Sequence, residues 1–288
     1  MDSKYNKLII NENSKIMKKL GALAILFAMV FIVSCKDEKK TENEGETTEV
    51  VVEETTEKPK HWGYDGESSP EHWAEIEKES TCGGSHQSPI DIVTANVVSQ
   101  ASGLKASDIH YDASTLIHDV TNNGHSIQYN FEAKDNYVDF KGKRYDLVQF
   151  HFHAASEHSI NGMHYPLVVH LVHVSSDKEY VVLAIMVEEG KESKTFDFIE
   201  TYLPVQAGET KTIGQPHSFS KYILGNFEHY YYKGSLTTPP CTEGVNWFIF
   251  TEPLSISAAQ AKAIADLMPR YNYRPTQPLN DRKVYLSK

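Results

Sequence analysis

Positive charge is in short supply in this chain. Its 288 residues carry 28 Lys and Arg against 39 Asp and Glu, a formal net charge of −11. Gripping nucleic-acid phosphates needs a concentrated basic face, so this balance argues against a nucleic-acid partner. Cysteine is scarcer, with only Cys35, Cys82 and Cys241. The last two are not in a Cys-x-x-Cys arrangement, which disfavours a redox pair. There is no internal repeat, and no confident membrane span: the charge-free apolar stretch at residues 20–34 falls short of the roughly 20 residues a spanning helix needs.

What is present suits a globular protein. Hydrophobic residues make up 40% and charged residues 23%, ordinary values for a chain with one packed core. The 16 Tyr and 12 Phe favour strands. Lys18 and Lys19 precede the apolar stretch, a signal-peptide pattern. It closes on Ile32-Val33-Ser34-Cys35, which resembles a bacterial lipobox with Cys35 as the acylated first residue of the mature chain. An uncleaved anchor helix is the alternative. Both place the remainder outside the cytoplasm, lipid-anchored to a bacterial membrane on the first reading. Met17 offers a second possible start, since residues 17–35 make a compact signal alone. Residues 36–60 are mostly charged, Thr and Val, and cannot bury enough surface to offset their ordering entropy, so they read as a disordered linker. Three cysteines then divide into one modified residue and one disulfide, which fits an oxidising compartment.

From His61 the composition changes, and residues 61–288 read as one domain of about 228 residues. The expected fold is mainly β, a large sheet with short peripheral helices. Strand patterns cover 126–131, 137–140, 147–153 and 246–250, and 167–174 and 180–187 are apolar enough to be covered on both faces. Alternation puts Val148, Phe150 and Phe152 on one face and Gln149, His151 and His153 on the other. A helix is expected over 257–268, capped by Ser257 and stopped by Pro269, and a short one near 70–75.

Side chains at i and i+2 of a strand share a face, so His151 and His153 project side by side. Zinc takes three histidines and an open position in catalytic sites, and His170 is the best third ligand. Each also has a plainer reading. A His-x-His pair can be a hydrogen-bonded cleft pair, and His170 a satisfied core histidine. His173 has the opposite parity from His170 and, with His158, reads as structural. The remaining histidines, His61 among them, offer no spacing argument.

Several segments together resemble the alpha-class carbonic anhydrases: Gln149-Phe-His-Phe-His153, Ser156-Glu-His158, His170-Leu-Val-His173 and Gly234-Ser-Leu-Thr-Thr-Pro-Pro240. His61-Trp-Gly-Tyr64, Gln87-Ser-Pro-Ile-Asp91, Asn122-Asn-Gly-His125, Asn272-Tyr-Arg-Pro275 and Gln277-Pro-Leu279 extend the match over about 61–282. The resemblance implies a twisted, mostly antiparallel sheet with Zn2+ at the bottom of a conical cleft, held by His151, His153 and His170. It implies reversible hydration of CO2 to bicarbonate by a zinc-bound hydroxide. Thr237, held by Glu157, would orient that hydroxide, and His125 would shuttle the proton. Tyr64 and Asn123 match residues that organise the water chain. Gln149 and Asn272 match partners of the first two histidine ligands. Val172, Val182, Leu236 and Trp247 match the apolar CO2 pocket, with Thr238 beside Thr237. In bacterial members a disulfide joins cysteines placed like Cys82 and Cys241.

Those residue types suit the chemistry. Three neutral histidines leave the metal's charge undiluted and favour hydroxide. CO2 carries no charge to grip, so an apolar wall is a sensible pocket, and a histidine titrating near neutrality can relay a proton. Two features depart from the family pattern. Val168 stands where the family carries a glutamate two residues before the third ligand, on that histidine's own face. Ala154-Ala155 replaces a common Trp-Gly. Two other readings remain open: a catalytically silent surface-binding module, supported by Val168, and a structural zinc site, disfavoured because no fourth ligand is placed to close it. Thr237-Thr-Pro-Pro240 could by itself be a stiff turn.

Overall fold

The computed structural model describes residues 61–218 and 227–288. The signal segment, Cys35 and the linker at 36–60 lie outside the described residues. Short strands β1 (Asp91–Ile92), β2 (Val98–Ser99) and β3 (Ile109–His110) come first, after a turn of helix α1 (Trp73–Ile76). Then follow β4 (Leu116–Asn122), β5 (Ile127–Asn130), β6 (Tyr137–Phe140), β7 (Lys143–His153), β8 (Ser159–Ile160), β9 (Leu167–Val174) and β10 (Tyr180–Glu189). Helix α2 (Lys194–Thr201), β11 (Thr210–Pro216), β12 (His229–Ser235), β13 (Glu243–Ile256), helix α3 (Ala258–Ala265) and β14 (Tyr285–Ser287) complete the order.

Twelve strands form one sheet in the order β11-β4-β5-β7-β9-β10-β13-β12-β14-β2, with β6 on β7 and β3 on β6. Pairing is antiparallel except for β10 with β13 and β14 with β2. The apolar runs predicted to be covered on both faces are β9 and β10, at the centre of the sheet. One face packs Phe150, Phe152, Leu171 and Phe248 into a large core. The other packs Val168, Val172, Val182 and Trp247 around the cleft. Covering both faces of a strand removes the polar-out alternation and leaves the near-continuous valine pattern.

The structure corrects the expected position of Val148. The register of β7 against β9 shifts between Leu147 and Gln149. This bulge resets the alternation, so Leu147 joins the core of Phe150 and Phe152 while Val148 faces the cleft. β13 outruns the expected 246–250 because its pairing with β10 skips from Phe250 to Leu254, and Pro253, with no N–H to give, falls in the skipped stretch. The Ser257-capped helix forms with Gln260 completing the capping box, but ends at Ala265 rather than Met268, where the N–H of Asp266 bonds the carbonyls of Lys262 and Ile264. Cys82 and Cys241 are disulfide-bonded, S–S 2.03 Å, and pack against buried Trp73.

Candidate metal centre

The register of β7 on β9 sets His151 opposite His170 and His153 opposite Val168. Three imidazoles thereby meet on the cleft side, with ligand atoms within 4.8 Å of one another. His153 and His170 are buried and His151 is half-buried. His151 Nδ1 donates to the side-chain oxygen of Gln149 at 2.8 Å, and His153 Nδ1 donates to the backbone carbonyl of Asn272 at 2.5 Å. A carbonyl only accepts, so both protons sit on Nδ1 and both Nε2 atoms carry lone pairs. Those two Nε2 atoms face each other at 3.1 Å. Two lone pairs at that range repel, and a cation between them resolves the conflict. The donor set therefore fits a divalent metal of the kind imidazole prefers. Burial, and after it the neighbouring His153, hold His151 and His170 well below the usual histidine range, so both stay neutral and able to ligate.

His170 lacks what the other two have. Its Nε2 is buried with no hydrogen-bond partner, and so is Nδ1 of His158, whose ring lies 6.4 Å away. Val168, two residues before His170 on the same face, offers neither of them an acceptor. His158 Nε2 is tied to the Tyr232 hydroxyl at 2.7 Å. His173 faces the opposite core, as its parity requires, bonded to the Tyr111 hydroxyl at 2.9 Å and the Val181 carbonyl at 3.3 Å.

Glu157 is fully buried, with Oε2 at 3.4 Å from His153 Nε2 and 3.8 Å from His170 Nδ1. Burial raises its carboxyl above the usual range, while His153, the nearby Thr237 hydroxyl and the Arg274 backbone N–H oppose that rise. Its Oε1 accepts from the Arg274 backbone N–H at 3.0 Å, and the carboxylate lies beside the Thr237 hydroxyl.

Val172, Val182, Leu236, Trp247 and Thr238 line one cavity of about 310 Å³ together with His151, His170 and Thr237. Val148, Val174 and Tyr180 complete its apolar wall. The indole of Trp247 is fixed by donating to the Ser235 carbonyl at 2.9 Å.

His125 stands at the rim, half-buried and stacked on Trp62 with ring centroids 3.8 Å apart. Asn123 is exposed, and its side-chain oxygen accepts the N–H groups of His125 and Ser126, which closes the turn that presents the imidazole. Asn272 ties that turn to the metal centre, its amide donating to the carbonyls of His125 and Phe152. Tyr64 packs 6.0 Å from the His125 ring, and its hydroxyl is buried without a partner. Burial lowers the basicity of His125, and His61 lowers it further.

Two contacts escaped the sequence reading. His61 Nε2 lies 3.3 Å from His125 Nε2, a contact no spacing announces because the residues are 64 apart. Arg274 is buried, and its guanidinium donates to the Gln87 side chain, the Ser88 carbonyl and the Cys82 carbonyl while its backbone N–H holds Glu157. A lone arginine inside the Asn272–Pro275 stretch was the only available signal.

The fold and the site together define a large β-sheet protein with three converging histidines that could hold a metal ion. The sequence matches the family described as eukaryotic-type carbonic anhydrase over residues 68–288. A carbonic anhydrase of Neisseria gonorrhoeae is 40% identical over 227 residues, covering 78% of this chain and 87% of that protein, and one of Klebsiella pneumoniae is 37% identical over 227 residues. The alpha-carbonic anhydrase of Thermovibrio ammonificans, solved with the inhibitor sulfanilamide, superposes with a TM-score of 0.73 at 39% identity, covering 78% of this chain and 98% of its own. Dioscorin, solved with ascorbate, shares the fold at 27% identity and a TM-score of 0.71, covering 80% of this chain and 98% of its own. The chain belongs to the eukaryotic-type, or alpha, carbonic anhydrase family, and it is a lyase acting on CO2 and bicarbonate.

Proposed function

We propose that the protein hydrates CO2 reversibly with zinc held by His151, His153 and His170. The observation that carries this is the pair of Nε2 lone pairs facing each other at 3.1 Å, each proton committed elsewhere by Gln149 and Asn272. When bound, zinc lowers the pKa of a water and supplies a hydroxide nucleophile near neutral pH. The chain's own groups do the rest. Glu157, held by Arg274, accepts a hydrogen bond from the Thr237 hydroxyl, whose oxygen can then only accept from the attacking oxygen. That aims the oxygen's free lone pair into the cavity. Val172, Val182, Leu236 and Trp247 offer CO2 an apolar wall that repels nothing and displaces water. His125 takes the product proton and passes it to buffer, and the turn closed by Asn123 keeps its ring at the rim.

Stopped-flow CO2 hydration with zinc content measured on the same sample tests the proposal. Fast, sulfonamide-sensitive hydration at near one zinc per chain is expected, and zinc-loaded protein without hydration would refute it. That outcome would favour the silent binding module, the reading to which the partnerless His170 Nε2 lends support. We further propose that Cys35 carries a lipid holding the protein outside the cytoplasm. Mass spectrometry of the mature N-terminus should find a diacylated Cys35, and an unmodified thiol would rule the anchor out.

A further inference from the structure

Away from the cleft, a second cavity of about 670 Å³ opens where four chain segments meet, and it shares no residue with the cleft. The segment after β2 gives Gln100 to Ser102, and the turn between β6 and β7 gives Lys141. Strand β12 gives Lys233, and the approach to β14 gives Arg282 and Lys283. In a chain with a net charge of −11, these four cations converge on one wall.

Elsewhere Lys134, Lys143, Arg144, Lys262 and Lys288 each lie within 4.0 Å of a carboxylate. Among the described residues, exposed Lys78, Lys105 and Lys178, on separate segments, form no such pair, and neither does any of the four lining this cavity. The one acid in the wall, Asp281, is held by His86 Nε2 at 3.0 Å. Two of the cations are already positioned. Arg282 is half-buried and donates through Nε, NH1 and NH2 to the carbonyls of Leu279, Lys233 and Pro278 at 3.0, 3.3 and 2.7 Å. A guanidinium has five N–H groups, so two remain to be given. The Lys141 ammonium lies 4.9 Å from the Phe140 ring centroid and 5.5 Å from that of Tyr231, with the Tyr231 hydroxyl at 3.5 Å. Lys233 and Lys283 are exposed.

We propose that this pocket binds a phosphate-class oxyanion, either a free phosphorylated molecule or the headgroup of an anionic lipid. Four cations facing the single carboxylate of Asp281 leave the wall net positive, and a multiply charged anion converts their mutual repulsion into binding. Donors arriving from separate segments suit a tetrahedral, multiply charged group better than a planar, singly charged one. Because the pocket is open to solvent, the affinity must fall with salt.

The test is calorimetric titration of the full chain with pyrophosphate, repeated with K233E/K283E. The expected result is binding that weakens with added NaCl and falls at least about tenfold in the variant, while CO2 hydration by the variant is unchanged. No pyrophosphate binding would overturn the proposal, as would equal binding by both proteins, which would put the anion at the metal centre. Vesicles separate the two sources. Greater retention of wild type than of K233E/K283E on phosphatidylglycerol vesicles, reversed by pyrophosphate and absent on phosphatidylcholine, assigns a lipid headgroup. Pyrophosphate binding with equal retention of both proteins assigns a free phosphate compound.

Discussion

Val168 and His170 lie on the same face of β9, and the isopropyl group of Val168 leaves His170 Nε2 buried without an acceptor. A bond to the far nitrogen of a metal-binding imidazole fixes its tautomer and raises its basicity, and losing one typically weakens affinity or activity 10–100-fold. Val168→Glu should therefore slow zinc loss to a chelator by about tenfold or more. It should also destabilise the metal-free protein, because a carboxylate then replaces an apolar group in a site with no exposure. An unchanged chelation rate would show that His170 needs no such partner.

The shuttle has its own signature. His125→Ala should lower kcat at low buffer concentration by at least about tenfold, with kcat/KM little changed and the loss recovered by added imidazole. His125 itself should titrate below the usual histidine value, because burial and His61 both disfavour its charged form. His61→Ala should move that titration upward in an NMR measurement. No movement would mean the contact at 3.3 Å does not persist in solution.

Acid should destabilise the fold through its buried histidines. Burial holds His173 down to about 4 and His158 to about 3, against an ordinary unfolded value near 6.5. Below about 6.5 the unfolded chain therefore binds protons that the folded chain refuses, and stability falls as pH drops from there toward 4. His173 alone contributes on the order of 3 kcal/mol across that range. Urea unfolding of metal-free protein at pH 7 and pH 5 should show the slope, and His173→Gln should flatten it. An equal slope in the variant would assign the acid sensitivity elsewhere.

The disulfide links residues 159 apart in sequence. Replacing Cys82 and Cys241 with serine should cost about 2–5 kcal/mol and lower Tm. Some activity should go with it, since Arg274 donates to the Cys82 carbonyl and holds Glu157. Calorimetry and hydration assays on the double variant check both effects. A Tm unchanged from wild type would mean that local packing around Trp73 holds these segments without the bond.

Much was legible before any fold was in view. Local strand geometry has a fixed period of two, so His151 and His153 had to share a face and His170 and His173 had to part. Ser257 announced a helix start because an N-cap bond reaches only three residues along the chain. The apolar runs at 167–174 and 180–187 announced central strands because a strand covered on both faces tolerates few polar side chains. The ordered motifs from 61 to 282 named the family and its residues.

Other features depended on pairings no local pattern encodes. The bulge that turned Val148 into the cleft exists only in the register between β7 and β9. The grip of Arg274 on Glu157 spans 117 residues, and His61 meets His125 across 64. The sequence by itself determined which side chains share a strand face and which family they belong to, because both follow from residue identity and short-range geometry. Only the tertiary structure decided which His nitrogens face the metal point, that His170 Nε2 has no partner, and that Lys141, Lys233, Arg282 and Lys283 meet at one cavity. Those depend on long-range strand register and loop closure, which place atoms that the chain keeps far apart.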